Sequence, residues 1–198
     1  MRYLVGPLLG LMLFLAACGS GSGDVEEKIE TNMDKDVGAF EFTTQDNEKF
    51  GLEDLKGSYW IADFIFTNCT TVCLPMTTNM SALQDRINEE GMDIQLVSFS
   101  VDPAYDSPEV LTEYAAEYNA DLSNWTFLTG YDFQTIKELS VKSFMSLLEA
   151  PPEDSDQVTH VTSFFLVNPE GKIIKKYGGT TASDMDIIME DLKQLDLN

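Results

Sequence analysis

The chain has 198 residues, 43% of them apolar, and a formal net charge of −22. A chain this acidic lacks the basic patches that nucleic acid requires, which excludes that class of partner. The acids are scattered (Glu26, Glu27, Glu53, Asp54, Glu89, Glu90) and read as solvated surface, which gives solubility rather than function.

Residues 1–17 have the layout of a secretory signal, with Arg2 as a minimal positive region, an apolar run from Leu4 to Leu15, and small residues at Ala16 and Ala17. That run is short for a spanning helix of roughly 20 residues. Leu15-Ala16-Ala17-Cys18 resembles the lipobox of bacterial lipoproteins. The resemblance implies lipidation of Cys18 and a place on the outer face of the bacterial cytoplasmic membrane. The competing reading is an ordinary secretory signal that ends near a cysteine. Residues 18–36 are Gly/Ser-rich and then charged, and read as a flexible tether from the lipid. Residues 37–198 remain, a length that suits one domain.

In this domain Phe40-Glu41-Phe42 and Lys49-Phe50 flank Gln45-Asp46-Asn47 as a hairpin, and Leu52 to Leu55 is a helical turn stopped at Gly57. Tyr59 to Phe66 is apolar on both sides except at Asp63, the pattern of a strand covered on both faces. Met76, Met80, Leu83 and Ile87 recur at helical spacing, so a helix runs from about Leu74 to Glu89 and ends at Gly91. Ile94 to Val101 is a strand broken by Asp102-Pro103. Ser107 and Pro108 supply the N-cap and first position of a second helix, whose apolar face is Val110, Leu111, Tyr114 and Tyr118. Trp125 to Leu128 is a short strand, and Asp132 caps a helix carrying Phe133, Ile136 and Leu139. Leu148 to Gln157, with two prolines and four acids, reads as a mobile loop. Val161 to Val167 and Lys172 to Tyr177 form a hairpin about Asn168-Pro169-Glu170-Gly171. Met185, Ile188, Met189, Leu192 and Leu195 mark a closing helix. This order predicts an α/β domain with a mixed central sheet flanked by helices. A strand, cysteine loop and helix followed by a crossover and a terminal hairpin resembles the thioredoxin fold.

Chemistry concentrates at Cys69 and Cys73, between the central strand and its helix. A disulfide between them closes too small a loop to constrain much of the unfolded chain, so the pair is there for reactivity. Thiols at a helix N-terminus lie near the positive end of its dipole, which favours thiolate. His160 is the only histidine, and in a thioredoxin-like layout it falls beside the cysteine loop. Two thiolates and one imidazole form a soft three-donor set. It is short of the four ligands of structural zinc or most iron–sulfur clusters but sufficient for copper. Thiol–disulfide exchange is the alternative. Asp63, six residues before Cys69, favours it, as a carboxylate able to take a proton from Cys73. Asp63 also reads as an edge or partly hydrated acid. Against exchange, Cys-x-x-x-Cys is one residue longer than the thioredoxin motif, and Thr159-His160-Val161 lacks the cis-proline that thioredoxins place opposite the disulfide.

Four blocks together resemble the Sco family of copper-binding thioredoxin-fold proteins. They are Phe66-Thr67-Asn68-Cys69 to Cys73; Ser100-Val101-Asp102-Pro103 with Asp106-Ser107-Pro108-Glu109; Trp125 to Gly130; and His160 to Val167 with Asn168 to Lys172. The resemblance implies one copper per domain, Cu(I) or Cu(II), on Cys69, Cys73 and His160. It also implies a role as metallochaperone or assembly factor for the copper-A subunit of cytochrome c oxidase. The reductase alternative would act on that subunit's copper-site cysteines, with Cys69 and Cys73 as the redox pair. Thr70 and Leu74 depart from the family, which often has proline after each cysteine.

Overall fold

The computed structural model describes residues 28–68, 73–195 and 197, with the backbone alone at Cys73 and Leu74. Residues 1–17, expected to be a signal segment, and Cys18 and Cys69 lie outside the described residues. The chain enters along β1 (Lys35–Asp36) and turns through a hairpin of β2 (Glu41–Thr44) and β3 (Lys49–Gly51). After a single 3-10 turn at Leu52–Leu55 it runs through β4 (Tyr59–Ile65), α1 (Cys73–Glu90), β5 (Ile94–Ser100), α2 (Pro108–Glu117) and β6 (Trp125–Thr129). Then follow α3 (Phe133–Lys142), β7 (Leu148–Glu149), β8 (Thr159–His160), β9 (Ser163–Val167), β10 (Lys172–Gly178) and α4 (Ala182–Gln194).

Eight strands form one mixed sheet in the order β1-β10-β9-β4-β5-β6-β2-β3, and β7 and β8 pair by themselves. β4, β5 and β6 are parallel neighbours, whereas β9 meets β4 antiparallel. This is the thioredoxin-like arrangement expected, with β4 at its centre. Strand alternation sends successive side chains of β4 to opposite faces. Ile61 and Ile65 join the core with Met76, Met80, Leu83 and Ile87 of α1 and with Met185, Ile188 and Leu192 of α4. Trp60, Ala62 and Phe64 join the other, with Ile136 and Leu139 of α3 and with Phe144. Both faces of β4 are covered because its sequence is apolar on both.

The helix ends follow local chemistry. The Ser107 side chain accepts from the Val110 N–H and that of Asp132 from the Thr135 N–H, each satisfying a backbone donor the helix leaves open. Gly130 follows β6 at φ +81°, and a Cβ there would lie 2.6 Å from Thr43 Oγ1, so only glycine fits.

Three expectations are corrected. Residues 29–36, assigned to the tether, are packed. Ile29 is buried in the helix-side core, and β1 pairs with β10 through Lys35↔Ile173 and Asp36↔Lys172. The Asn32 amide bonds the Lys176 backbone in both directions, at 3.0 and 2.8 Å. Going backward from Val37, which bonds Gly171, the segment climbs β10 toward Gly178, the end paired with Ser163. Charge in this stretch hid one apolar anchor and one amide that mimics a strand. Second, Leu148, placed at the start of a mobile loop, is fully buried and pairs with His160. Third, the strand after His160 begins only at Ser163, so His160 belongs to a separate two-residue ladder rather than to the main sheet.

Candidate metal centre

The cysteine segment leaves the C-terminal end of β4 under tight control. Ile65 and Phe66 are buried. The next residue, Thr67, donates its hydroxyl to Asp106 Oδ1 at 2.6 Å, and its N–H also points at that carboxylate. Asp106 Oδ2 accepts from Ser100 Oγ at 2.5 Å, and the Asp106 carbonyl accepts from Thr129 Oγ1 at 2.7 Å. Asp106 is fully buried. Burial pushes its carboxyl up, while the bonds from Ser100 and Thr67 pull it back. One residue thus ties three strand ends together just before Cys69: its carboxylate holds those of β4 and β5, and its carbonyl holds that of β6. α1 then opens at Cys73 with no acidic residue in its first turn, so no carboxylate of that turn offsets the positive end of its dipole.

His160 sits half-buried on β8 with its ring edge-on to Phe66, 5.6 Å between centroids. Its Nδ1 lies 3.2 Å from the Val161 carbonyl oxygen. A carbonyl can only accept, so Nδ1 carries the proton and Nε2 the lone pair. Burial lowers the imidazole pKa, partly countered by that hydrogen bond, which favours the neutral, ligating form near neutral pH. Further bonds join the histidine segment to the cysteine segment. Asn68 Nδ2 donates to Asp156 Oδ2 at 2.8 Å, and Gln157 Nε2 donates to the Asn68 carbonyl at 3.1 Å. Residues that lead into Cys69 therefore lie against residues that lead into His160. The sulfurs are outside the described atoms, and among the described residues no three His, Cys, Asp or Glu side chains gather as a metal cluster.

Asp63 lies on the face of β4 that α1 covers. It is fully buried, on a strand paired on both sides, which removes the edge or hydrated reading. Ser98 Oγ donates to Asp63 Oδ1 at 2.6 Å, and Trp125 Nε1 donates to Ser98 Oγ at 2.9 Å. Among the described residues, Asp63 Oδ2 has no hydrogen-bond partner. Desolvation raises its pKa to about 7, against the lowering effect of the Ser98 bond. A separate cavity of about 520 Å³ between the start of β2 and α3, lined by Phe40, Phe42, Thr135 and Leu139, contains none of these residues.

Residues 29–195 match the SCO1/SenC family model. The chain belongs to the SCO1/SenC family. It is 43% identical over 98% of its length, and 97% of the relative's, to the SCO1 protein homolog of Bacillus subtilis (strain 168). A SCO1/SenC family lipoprotein from Bacillus anthracis superposes with a TM-score of 0.78 at 47% identity, over 82% of this chain and 95% of that one. BsSco, described as a member of the Sco family of cytochrome c oxidase assembly proteins and as having a disulfide switch, gives 0.76 at 44%, over 84% and 95%. Arabidopsis thaliana ScoI, solved with copper bound, gives 0.68 at 28% identity, over 82% and 99%.

Within this SCO1/SenC domain, sequence reasoning singled out Cys69, Cys73, His160 and Asp63 and missed the work of Asp106, Thr67 and Asn68. Asp106 was visible only as part of a Pro-flanked block after a strand. An acid in that position has to find partners or solvent, and that was the available signal. Asn68 carried none, because its partners are 88 and 89 residues away. No helix among the described residues is long and apolar enough to cross a membrane.

Proposed function

We propose that this SCO1/SenC protein is a membrane-anchored copper metallochaperone serving assembly of the copper-A subunit of cytochrome c oxidase. The observation that carries the reading is the docking of the segment ending at His160 onto the residues that lead into Cys69. Thiolates of Cys69 and Cys73 with the neutral imidazole of His160 suit copper as cargo, one ion per domain. His160 offers Nε2, since its Nδ1 proton is engaged by Val161. Support comes from the copper-bound structure of Arabidopsis ScoI and from the oxidase-assembly role stated for BsSco. Anchoring through lipidated Cys18, after removal of residues 1–17, is supported by the Leu15-Ala16-Ala17-Cys18 sequence and by a relative that is a lipoprotein. This puts the domain on the outer face of the cytoplasmic membrane.

The deciding experiment adds copper to the full-length protein with Cys69 and Cys73 either reduced or joined as a disulfide. The reduced form binds one equivalent and the oxidised form none, because both sulfurs must ligate as thiolates. The copper then moves to an apo copper-A fragment. Stoichiometric binding by the oxidised form, or passage of electrons without copper, overturns the reading.

A second reading, a thiol–disulfide reductase acting on the oxidase's copper-site cysteines, draws on one observation. Asp63 is a buried acid with one oxygen that no described residue bonds and a pKa raised to about 7, on the face that α1 covers. In that reading it takes the proton of Cys73 while Cys69 and Cys73 exchange. His160→Ala separates the two. It weakens Cu(II) binding strongly and leaves exchange with a small dithiol unchanged, since exchange needs only an attacking thiolate and a leaving sulfur. Oxidase assembly that survives His160→Ala in cells but not Cys69→Ser would favour the reductase.

A further inference from the structure

We infer that Asn68, Asp156 and Gln157 form a clasp that holds the His160 segment against the cysteine loop and so sets how long copper is retained. The inference rests on the copper reading above for its functional meaning, but not for its geometry. β8 is held only lightly by strand pairing. It pairs with β7 over only two residues, Leu148↔His160 and Glu149↔Thr159, and an isolated ladder of that length is not stable by itself. Val161 and Thr162 separate it from β9, and the last bond of the main sheet on this side, from the Gly179 N–H to the Thr162 carbonyl, stops two residues short of it. Burial of Leu148 and Val158 holds its base.

The tip of the β7–β8 connection is held by the clasp. Asn68 donates through its side chain to Asp156 Oδ2 at 2.8 Å and accepts through its carbonyl from Gln157 Nε2 at 3.1 Å. Gln157 Nε2 also donates to Asp156 Oδ1 at 2.8 Å, which braces the two residues against each other. The jaws are unequal. The cysteine-side jaw is rigid, because Thr67, next to Asn68, is fixed by buried Asp106. The other jaw is the exposed, proline-containing loop that ends at Val158, so release of the clasp frees the histidine side. An opened clasp presents copper with two sulfurs and an imidazole no longer held in place. Asn68, Asp156 and Gln157 are thus positioning residues that act through His160.

The test compares Asn68→Ala, Asp156→Ala and Asp156→Asn in the full-length reduced protein. Two measurements are made: amide hydrogen exchange over residues 150–160 without metal, and the rate at which Cu(II) is released to a chelator. Each bond is worth a modest amount in surroundings open to water. Both alanine variants are therefore expected to speed exchange in this stretch and copper release roughly tenfold. Dithiol exchange at Cys69–Cys73 and the global unfolding midpoint stay at the unsubstituted values. Asp156→Asn keeps an acceptor for Asn68 while removing the charge, and stays within about threefold of the unsubstituted protein. If Asp156→Asn behaves like Asp156→Ala, the carboxylate acts by charge and the clasp is overturned. Unchanged hydrogen exchange in both alanine variants overturns it as well. If the unsubstituted protein holds no copper, the copper reading falls, and metal-free exchange alone decides whether the clasp exists.

Discussion

Ser98 donates its hydroxyl to one oxygen of Asp63 at 2.6 Å, and the other oxygen has no partner among the described residues. A buried carboxylate supported by a single hydrogen bond keeps its proton well above the ordinary range, here to about 7. The folded state binds this proton more tightly than the unfolded one, so stability falls as pH rises. The penalty is absent below the unfolded value near 4. It grows between about 4 and 7, is complete above that, and is on the order of 4 kcal/mol at most. Asp63→Asn keeps an acceptor for Ser98 and cannot ionise. Denaturant titrations should therefore show its stability relative to the unsubstituted protein improving by a few kcal/mol between pH 4 and pH 8. A pH-independent difference would mean that Asp63 ionises freely in the fold.

Asp106→Ala removes the acceptor for Thr67 and for Ser100 at once. Leaving buried donors unpaired costs about 1–3 kcal/mol each, so a loss of roughly 3 kcal/mol or more is expected in chemical denaturation. Asp106→Asn keeps one acceptor oxygen and should recover part of that loss. The amide of Thr67 should lose hydrogen-exchange protection in both. An Asp106→Ala protein as stable as the parent would show that water replaces the carboxylate without cost.

Gly130→Ala adds a methyl group where φ is +81° and where the new Cβ meets Thr43 at 2.6 Å. The left-handed backbone alone costs about 1–2 kcal/mol for a residue with a side chain, and the contact with β2 adds to it. The unfolding midpoint should fall clearly, while copper stoichiometry stays at that of the parent, because the site lies elsewhere. A neutral substitution would mean that β2 shifts freely against β6.

Cys18→Ser should release the protein from isolated membranes into the soluble fraction, with copper affinity unchanged. Retention of the substituted protein in the membrane fraction would replace the lipid with an uncleaved apolar segment as the anchor.

The parts of this molecule that were legible in its sequence are those governed by near neighbours. The helical spacing of Met76, Met80, Leu83 and Ile87 predicted α1, and all four side chains are fully buried. Ser107 and Asp132 announced two helix starts, and both accept the expected backbone N–H. Legibility failed where distant segments decide. Nothing within ten residues of His160 indicates that its strand stops short of Ser163. That break depends on pairing with Leu148. Asn32 binds the backbone of a strand 144 residues away, so its charged neighbourhood looked unstructured. Asp63 was ambiguous for the same reason, because the sequence does not say which strands flank β4.

The climb of residues 29–36 along β10 toward its Gly178 end has a mechanical consequence. A pull on whatever precedes Lys28 would act on this edge of the sheet, whose Gly179 end bonds Thr162, two residues beyond His160. The last described residue, Leu197, bonds Asp93 at the opposite end. If Cys18 is held in the bilayer, the intervening chain is about ten residues and reaches at most about 35 Å. Anchoring of that kind would keep this edge of the sheet within that distance of the lipid. A receiving site close to the membrane is then always within range, and one at the top of a tall extracellular domain is not.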